Sequence, residues 1–324
     1  MPITIPMHTI ARILGRHGLG RTSVEALPGG QINASYLVDG QYVLRVNLRP
    51  EEHGKLDREQ RVLAMLRDVV PVPRTIAYEG MSRLIPHEYV IQTYVPGESL
   101  LARWEAADEA ERSAYVEELA GMMRAMHGIR LDGFGDPTRP RQGETWAAIH
   151  VRRAAHALQT AREAANADAG LLDQAERSLS HDSASLGGGY PSLTHGDLHF
   201  GNIHVQHGRI SGLLDFERAW AAAPDWELDQ LLRFLHYPQL FAVAGLPEDR
   251  VRPESLTGVI PALRRAYPDL FRVSSLPARL RVYAVEYELR ALGSIRKRHD
   301  NNPEALRAVT ERLRYTLSPA FPGI

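Results

Sequence analysis

The chain has no cysteine among its 324 residues. That excludes disulfides, thiolate zinc sites and cysteine nucleophiles, and it suits a reducing compartment. There is also no run of 18 apolar residues, so a membrane-spanning helix is not expected. Net charge is nearly absent: 38 Lys and Arg against 39 Asp and Glu give −1. Without a field of either sign, non-specific binding to nucleic acid or to an anionic membrane is not expected. The opening stretch MPITIPMHTIARILGRHG lacks the basic start and unbroken apolar core of a signal peptide, and the expectation is a cytoplasmic protein. Internal repeats and a G-x-G-x-x-G loop are missing as well. LPGGQINASYLV offers only Gly29-Gly30, which by itself reads as a plain turn. Oligomeric state is not legible.

What is present suits a folded chain of two lobes, with 44% hydrophobic and 24% charged residues. SYLVDGQYVLRVNL (35–48) reads as two alternating runs joined by Asp39-Gly40, a hairpin signal. In its second run Tyr42, Leu44, Val46 and Leu48 share one face, and Val43, Arg45 and Asn47 share the other. A helix over about 55–70 carries Val62, Leu63, Leu66 and Val70 at helical spacing, with Glu59 on the same stripe. That carboxylate either reaches solvent at the helix edge or pairs with a cation such as Arg45. HEYVIQTYVPGESL (87–100) gives another strand, closed by Pro96-Gly97. From about residue 104 the pattern is helical, and a stripe of Tyr115, Leu119, Met122 and Met126 reads as core. Helices are predicted over 144–168, 171–186, 225–236, 254–267, 277–298 and 302–317. The fold class is therefore α+β, with a small N-terminal β-lobe bearing one helix (1–95) and a larger helical lobe (96–324).

The chemistry concentrates in THGDLHFGNIHVQHGRISGLLDFE (194–217), where His195, His199, His204 and His207 accompany Asp197 and Asp215. After Asn202 the residues read as a hairpin: Ile203–Val205, a turn at His207-Gly208, then Ile210–Leu214. A hairpin brings Asn202 and Asp215 together at one end. An amide oxygen and a carboxylate are hard ligands suited to Mg²⁺ that also holds phosphates. Asp197, on the preceding loop, is placed to take a proton from a hydroxyl, the alternative being an aspartate that caps a turn. The spacing is that of a kinase catalytic loop followed by its metal-binding Asp.

These residues resemble the aminoglycoside phosphotransferase/choline-kinase-like branch of the protein-kinase-like superfamily. The branch's H-G-D-x-x-x-x-N and Asp-Phe motifs match His195-Gly196-Asp197, Asn202 and Asp215-Phe216. YVLRV, DREQRVLAML, VPVPRTIAYEG, YVIQTYVPGESL and LAGMMRAMHGI match in order, as do Asp225 and Asp229, so the resemblance covers about residues 25–235. It implies a bilobal kinase-like fold and an ATP- and Mg²⁺-dependent phosphotransferase acting on an alcohol group. It further implies that Arg45, where such enzymes carry Lys, contacts phosphates and is held by Glu59. By the same resemblance Ser35 would supply a phosphate-loop hydroxyl, and adenine would lie against the backbone near Thr93 and Val95. Asn202 and Asp215 are the expected metal ligands, and Asp197 the expected base. Glu217 stands where protein kinases have Gly, which argues against a mobile, regulated metal loop. No activation segment separates Asp215 from the next helix, so a small-molecule acceptor is expected rather than a protein.

In similar enzymes the acceptor binds an acidic cleft of the helical lobe. Glu217, Asp225 and Tyr287 are the acceptor-site candidates, with Glu227, Glu286 and Glu288 as further acidic residues and Trp220, Trp226 and Tyr283 as stacking groups. An antibiotic-resistance kinase and a housekeeping kinase for choline, homoserine, a sugar or an amino sugar both fit. A metal-dependent hydrolase is the competing class, because His195-x-Asp197-x-His199 resembles a ligand run. It lacks a second H-x-H or H-x-x-E-H run and leaves Asn202, Asp215, Arg45 and Glu59 without a role. A nucleotide-binding pseudokinase is disfavoured because the base and both metal-ligand positions are present. His195 and His199 read as structural, and His204 and His207 as surface.

Overall fold

The computed structural model describes residues 5–20, 23–27, 33–49, 53–82, 85–163, 168–241, 251–297 and 302–322; Gly29 and Gly30 lie outside these. Helix α1 (Met7–Arg16), which the sequence pattern did not announce, precedes strands β1 (Val24–Ala26), β2 (Asn33–Val38) and β3 (Tyr42–Asn47). β2 and β3 form the expected hairpin, with Val38 opposite Tyr42 and with Asp39 and Gly40 both at positive φ, a region these two residue types enter readily. Helix α2 (Lys55–Leu66) stops short of residue 70, because Val70 precedes Pro71 and the proline ring disfavours helical backbone just before it. Strands β4 (Thr75–Glu79) and β5 (Tyr89–Thr93) complete an antiparallel sheet ordered β1-β2-β3-β5-β4.

Alternation along β3 assigns each face its work. Leu44 and Val46 are fully buried with Tyr36, Val38 and Ile91, and with Ile10, Ile13 and Leu14 of α1. Each such side chain contributes about 1.5–3 kcal/mol of burial. Arg45 and Asn47 take the opposite face. Next come β6 (Glu98–Ser99), α3 (Leu100–Arg103) and α4 (Glu109–His127). A capping box between Asp108 and Glu111 opens α4, and Tyr115, Leu119, Met122 and Met126 are buried along it, so the methionine stripe is core.

The remaining elements are β7 (Phe134–Asp136), β8 (Arg139–Arg141), α5 (Trp146–Arg162), α6 (Ala169–Asp182), β9 (Ser192–Thr194), β10 (Ile203–Gln206) and β11 (Arg209–Leu213). They are followed by β12 (Trp220–Ala222), α7 (Asp225–His236), α8 (Val259–Ala266), α9 (Leu276–Lys297) and α10 (Pro303–Thr316). All six helices predicted beyond residue 140 are present, α8 being preceded by a short 3₁₀ turn at Pro253–Leu256.

The chain divides into two compact units: Met1–Gly128 with His195–Ala219 and Arg233–Ala262, and Ile129–Thr194 with Trp220–Leu232 and Leu263–Ile324. The first contains the five-stranded sheet, α2, α4 and the β10–β11 hairpin, to which β6 adds a third strand. The second contains a sheet ordered β8-β7-β12-β9 and a helical layer in which α9 packs against α5, α6 and α10. Among the described residues no helix is long and apolar enough to cross a membrane.

Candidate active site

The β10–β11 hairpin builds the centre of the site. Ile203 lies opposite Leu213, and the Leu214 N–H donates to the Asn202 carbonyl at 2.8 Å. The turn falls on His207 and Gly208, both at positive φ. Asn202 and Asp215 therefore meet at the hairpin's open end. Asn202 Nδ2 donates to the backbone carbonyl of Asp197 at 2.9 Å, which fixes the amide so that its Oδ1 remains as an acceptor. Asp215 sits in the left-handed region at φ 63, and its Oδ1 is buried with no hydrogen-bond partner. A buried carboxylate oxygen without a donor is costly, and a hard cation beside the Asn202 oxygen would satisfy it. The residues present fit a Mg²⁺ site.

Leu198 and Phe200 anchor the loop carrying Asp197. Both are fully buried, and the Phe200 ring packs 4.6 Å from Trp104 and 4.8 Å from Phe234. The carboxylate of Asp197 is left a quarter exposed, 3.7 Å from the guanidinium of Arg218. Gly196 has φ +77, and a Cβ there would lie 2.0 Å from the Arg218 carbonyl oxygen, so no other residue fits between the two loops.

The histidines that suggest a transition-metal run do not converge. His195 is buried, donates Nε2–H to the Leu214 carbonyl at 2.8 Å and packs 4.3 Å from the Phe216 ring. His199 Nδ1 accepts from the Gly201 N–H at 3.0 Å. His204 is half-buried rather than on the surface, and its Nδ1–H donates to the Val95 carbonyl at 3.2 Å. His207 occupies the exposed turn. Among the described residues no three His, Asp or Glu side chains are grouped to hold a metal ion.

Burial pushes His199 down to about 4, with His195 adding to the effect. A histidine kept neutral in the fold is protonated first in the unfolded chain. Stability is then complete above the unfolded value near 6.5 and declines as pH falls toward 4, by up to about 3 kcal/mol. Burial lowers His150, His204 and His236 too, in the same direction. The expected result is a melting temperature that drops between pH 6.5 and 5. The slope should be shallower in His199→Asn, which keeps an acceptor for Gly201 but cannot titrate; equal slopes would assign the loss to other groups.

Helix α2 supplies the other side. Arg45 Nη1 reaches both oxygens of Glu59, at 2.9 and 2.7 Å, and Glu59 is 1% exposed. Of the two readings open to Glu59, the ion pair is the one realised. Ser35 lies opposite Arg45 in the β2–β3 register, so both side chains emerge on the same face. Burial opposes the charge of Arg45, but Glu59, Asp215 and Glu217 outweigh it and raise its pKa. Burial, reinforced by Asp215 and Glu59, raises Glu217 in turn. Glu59, Asp215 and Glu217 thus share the surroundings of Arg45, while Lys55 and Arg218 offset part of the effect at Glu217.

Two residues that sequence spacing did not point to hold α2 in place. Glu88, 1% exposed, accepts from the Gly54 and Asp57 N–H groups at 3.0 and 3.2 Å, capping a helix whose own N-cap is a glycine. Arg58 donates through Nη1 to the Glu217 carbonyl at 2.7 Å and through Nη2 to the Ala219 carbonyl. Adjacency to Glu59 is the sole sequence signal for Arg58; Glu88 has none.

The three acceptor-site candidates fall in different environments of the chain. Glu217 belongs to the first unit, Asp225 and Tyr287 to the second. Asp225, expected to face a substrate, is 1% exposed. Arg279 forks onto both its oxygens at 2.7 and 2.9 Å, and Tyr283 OH donates to it at 2.8 Å. Its charge is matched inside the fold, and it is not an open carboxylate. Glu286 accepts from His150 Nδ1–H at 2.5 Å and from Arg153 Nε at 2.7 Å. Burial works against its charge, yet His150 and Arg153 hold it down to about 2. Glu288 is forked by Arg312 at 2.9 Å on both oxygens. Tyr287 is half-buried, with Arg290 5.8 Å from its ring centroid. Near the expected adenine position, Thr93 Oγ1 accepts from the Arg74 N–H at 2.9 Å.

A family model described as "Phosphotransferase enzyme family" (APH) matches residues 23–252. Among solved structures, a thermostable mutant of aminoglycoside phosphotransferase APH(4)-Ia in ternary complex with ADP and hygromycin B is 19% identical. It covers 95% of this chain and 97% of its own, at a TM-score of 0.69. ADP-bound APH(2'')-Ib is 14% identical, with 97% and 98% covered at 0.67. The GDP and kanamycin complex of APH(2'')-IIia is 16% identical, with 96% and 98% covered at 0.67. The fold is accordingly mixed α+β and protein-kinase-like.

Proposed function

The chain belongs to this phosphotransferase enzyme family, whose members phosphorylate hydroxyl groups, and on that premise we propose that it transfers the γ-phosphate of ATP to a hydroxyl of a small molecule, with Mg²⁺. The observation that carries the reading is the unpartnered, buried oxygen of Asp215 next to Asn202, itself five residues after Asp197, whose carboxylate is a quarter exposed. The structures solved with ADP are consistent with nucleotide binding. Residues 1–95 form the nucleotide-binding lobe, and residues 96–324 carry catalysis and the acceptor; the protein works in the cytoplasm.

Arg45, locked by Glu59, faces the phosphates together with Ser35, and adenine lies along the backbone near Thr93 and Val95. Asn202 Oδ1 and Asp215 would hold Mg²⁺, which when bound would supply charge neutralisation at the phosphates. Asp197 orients the acceptor hydroxyl and takes its proton as the new O–P bond forms and the bond to the β-phosphate oxygen breaks, leaving ADP.

For the acceptor, an aminoglycoside or another antibiotic is one reading, supported by the hygromycin B and kanamycin complexes of similar folds. The second, a metabolite of low positive charge, is favoured by the pairing of Asp225, Glu286 and Glu288 with arginines. A polycation draws its affinity from unpaired carboxylates, and these three are not. ADP release measured across aminoglycosides, macrolides, nucleosides, sugars, choline and homoserine separates the two. Turnover confined to aminoglycosides or macrolides would reject the metabolite reading, and turnover confined to nucleosides, sugars, choline or homoserine would reject the first.

A further inference from the structure

We propose that Arg58 is the positioning residue that sets the spacing between the metal-ligand turn at Asp215 and the loop of the base Asp197; this inference rests on the phosphotransfer reading above. A single guanidinium holds two carbonyls of the turn that follows Asp215, those of Glu217 (2.7 Å) and Ala219. The carbonyl between them, that of Arg218, lies against Gly196, so close that a methyl group there would stand 2.0 Å from its oxygen. The strip 217–219 is thus clamped by α2 through Arg58 and abutted by the loop that leads into Asp197.

The clamp is rigid at its other end. Glu88 fixes the first turn of α2 through the Gly54 and Asp57 N–H groups. Glu59, the next residue after Arg58, holds Arg45 through both oxygens. Adjacent residues of one helix therefore fix two parts of the site, Arg45 by way of Glu59 and the Asp215 turn by way of Arg58. A planar fork is needed for this, because two carbonyls two residues apart are met by two N–H groups in fixed geometry, which an ammonium on a flexible stem does not reproduce. A small displacement of reacting groups is enough to lower a rate by ~10²-fold.

Arg58→Lys and Arg58→Ala, with Arg61→Ala as a control on an exposed face of the same helix, are compared with the wild type. ADP formation is followed at saturating ATP and Mg²⁺ with the panel compound, among aminoglycosides, macrolides, nucleosides, sugars, choline and homoserine, that the wild type turns over fastest, and melting temperatures are recorded alongside. In Arg58→Ala, kcat should fall ~10²-fold while KM for ATP stays within about threefold; Arg58→Lys should fall about tenfold, and Arg61→Ala should match the wild type. If the alanine variant does not fold, the lysine variant carries the test through its kcat-against-KM split. A lowered melting temperature with wild-type kcat in either folded variant would reduce Arg58 to a purely structural contact and overturn the inference. Absence of any ATP turnover by the wild-type protein would overturn the phosphotransfer reading, and this inference with it.

Discussion

Asp197→Asn is expected to lower kcat by roughly 10³-fold, within the range for removal of a general base, and to leave ATP binding in place. Asparagine matches the shape of aspartate and leaves the Asn202 bond to the Asp197 carbonyl intact, since that bond uses the backbone. The loop is held by buried Leu198 and Phe200 and by the close fit of Gly196, none of which depends on the carboxylate. What the variant loses is the proton acceptor and the partner of Arg218. Its nearest cation is 3.7 Å away and 65% exposed, so the lost ion pair has little structural weight. A coupled ADP-release assay with a thermal-shift titration of ATP checks both halves. Turnover near wild type would remove Asp197 from the role of base.

Asp215→Asn is expected to cost ~10³-fold or more in kcat, the several kcal/mol that a bound metal ion contributes at a phosphoryl group. Asparagine is the informative replacement, because it tolerates the left-handed backbone at φ 63, where alanine adds strain. The companion expectation concerns stability. In the absence of metal, Asp215 is a partly buried carboxylate with one unpartnered oxygen. Its charge pushes Glu217 upward, after the larger effect of burial. Removing that charge should leave the melting temperature without Mg²⁺ equal to or above that of the wild type, although activity collapses, the pattern of a residue kept for function at some cost to stability. An Asp215→Asn protein that melts lower and keeps its turnover would mark the residue as structural.

The core of the site was legible because its information is local. Asn202 and Asp215 are joined by a short hairpin whose turn residues, His207 and Gly208, are readable from residue type. Hairpin pairing then fixes which ends meet. The pairing of Arg45 with Glu59 was open to the same kind of reading, since a carboxylate on an apolar helical stripe needs a cation. The helices beyond residue 140 were likewise recoverable from apolar periodicity. What escaped depends on partners distant in sequence. Asp225 looks like an available carboxylate until Arg279, 54 residues on, takes both its oxygens, and no spacing rule links the two positions. Glu88 caps α2 from 34 residues away, and Arg58 acts on carbonyls about 160 residues away, whose side-chain identities carry no signal. Helix α1 went unread because its short apolar stripe, Ile10, Ile13 and Leu14, sits in a stretch that lacks a capping residue.

The most direct test is transfer of the label from γ-labelled ATP to the acceptor panel, run with Mg²⁺ and with Zn²⁺ on the wild-type protein and on Asp197→Asn. Label should appear on a hydroxylated small molecule with Mg²⁺ in the wild type and fall by roughly 10³-fold in Asp197→Asn. No transfer to any acceptor with Mg²⁺, together with stabilisation by Zn²⁺ alone and hydrolysis of a model ester, would contradict it.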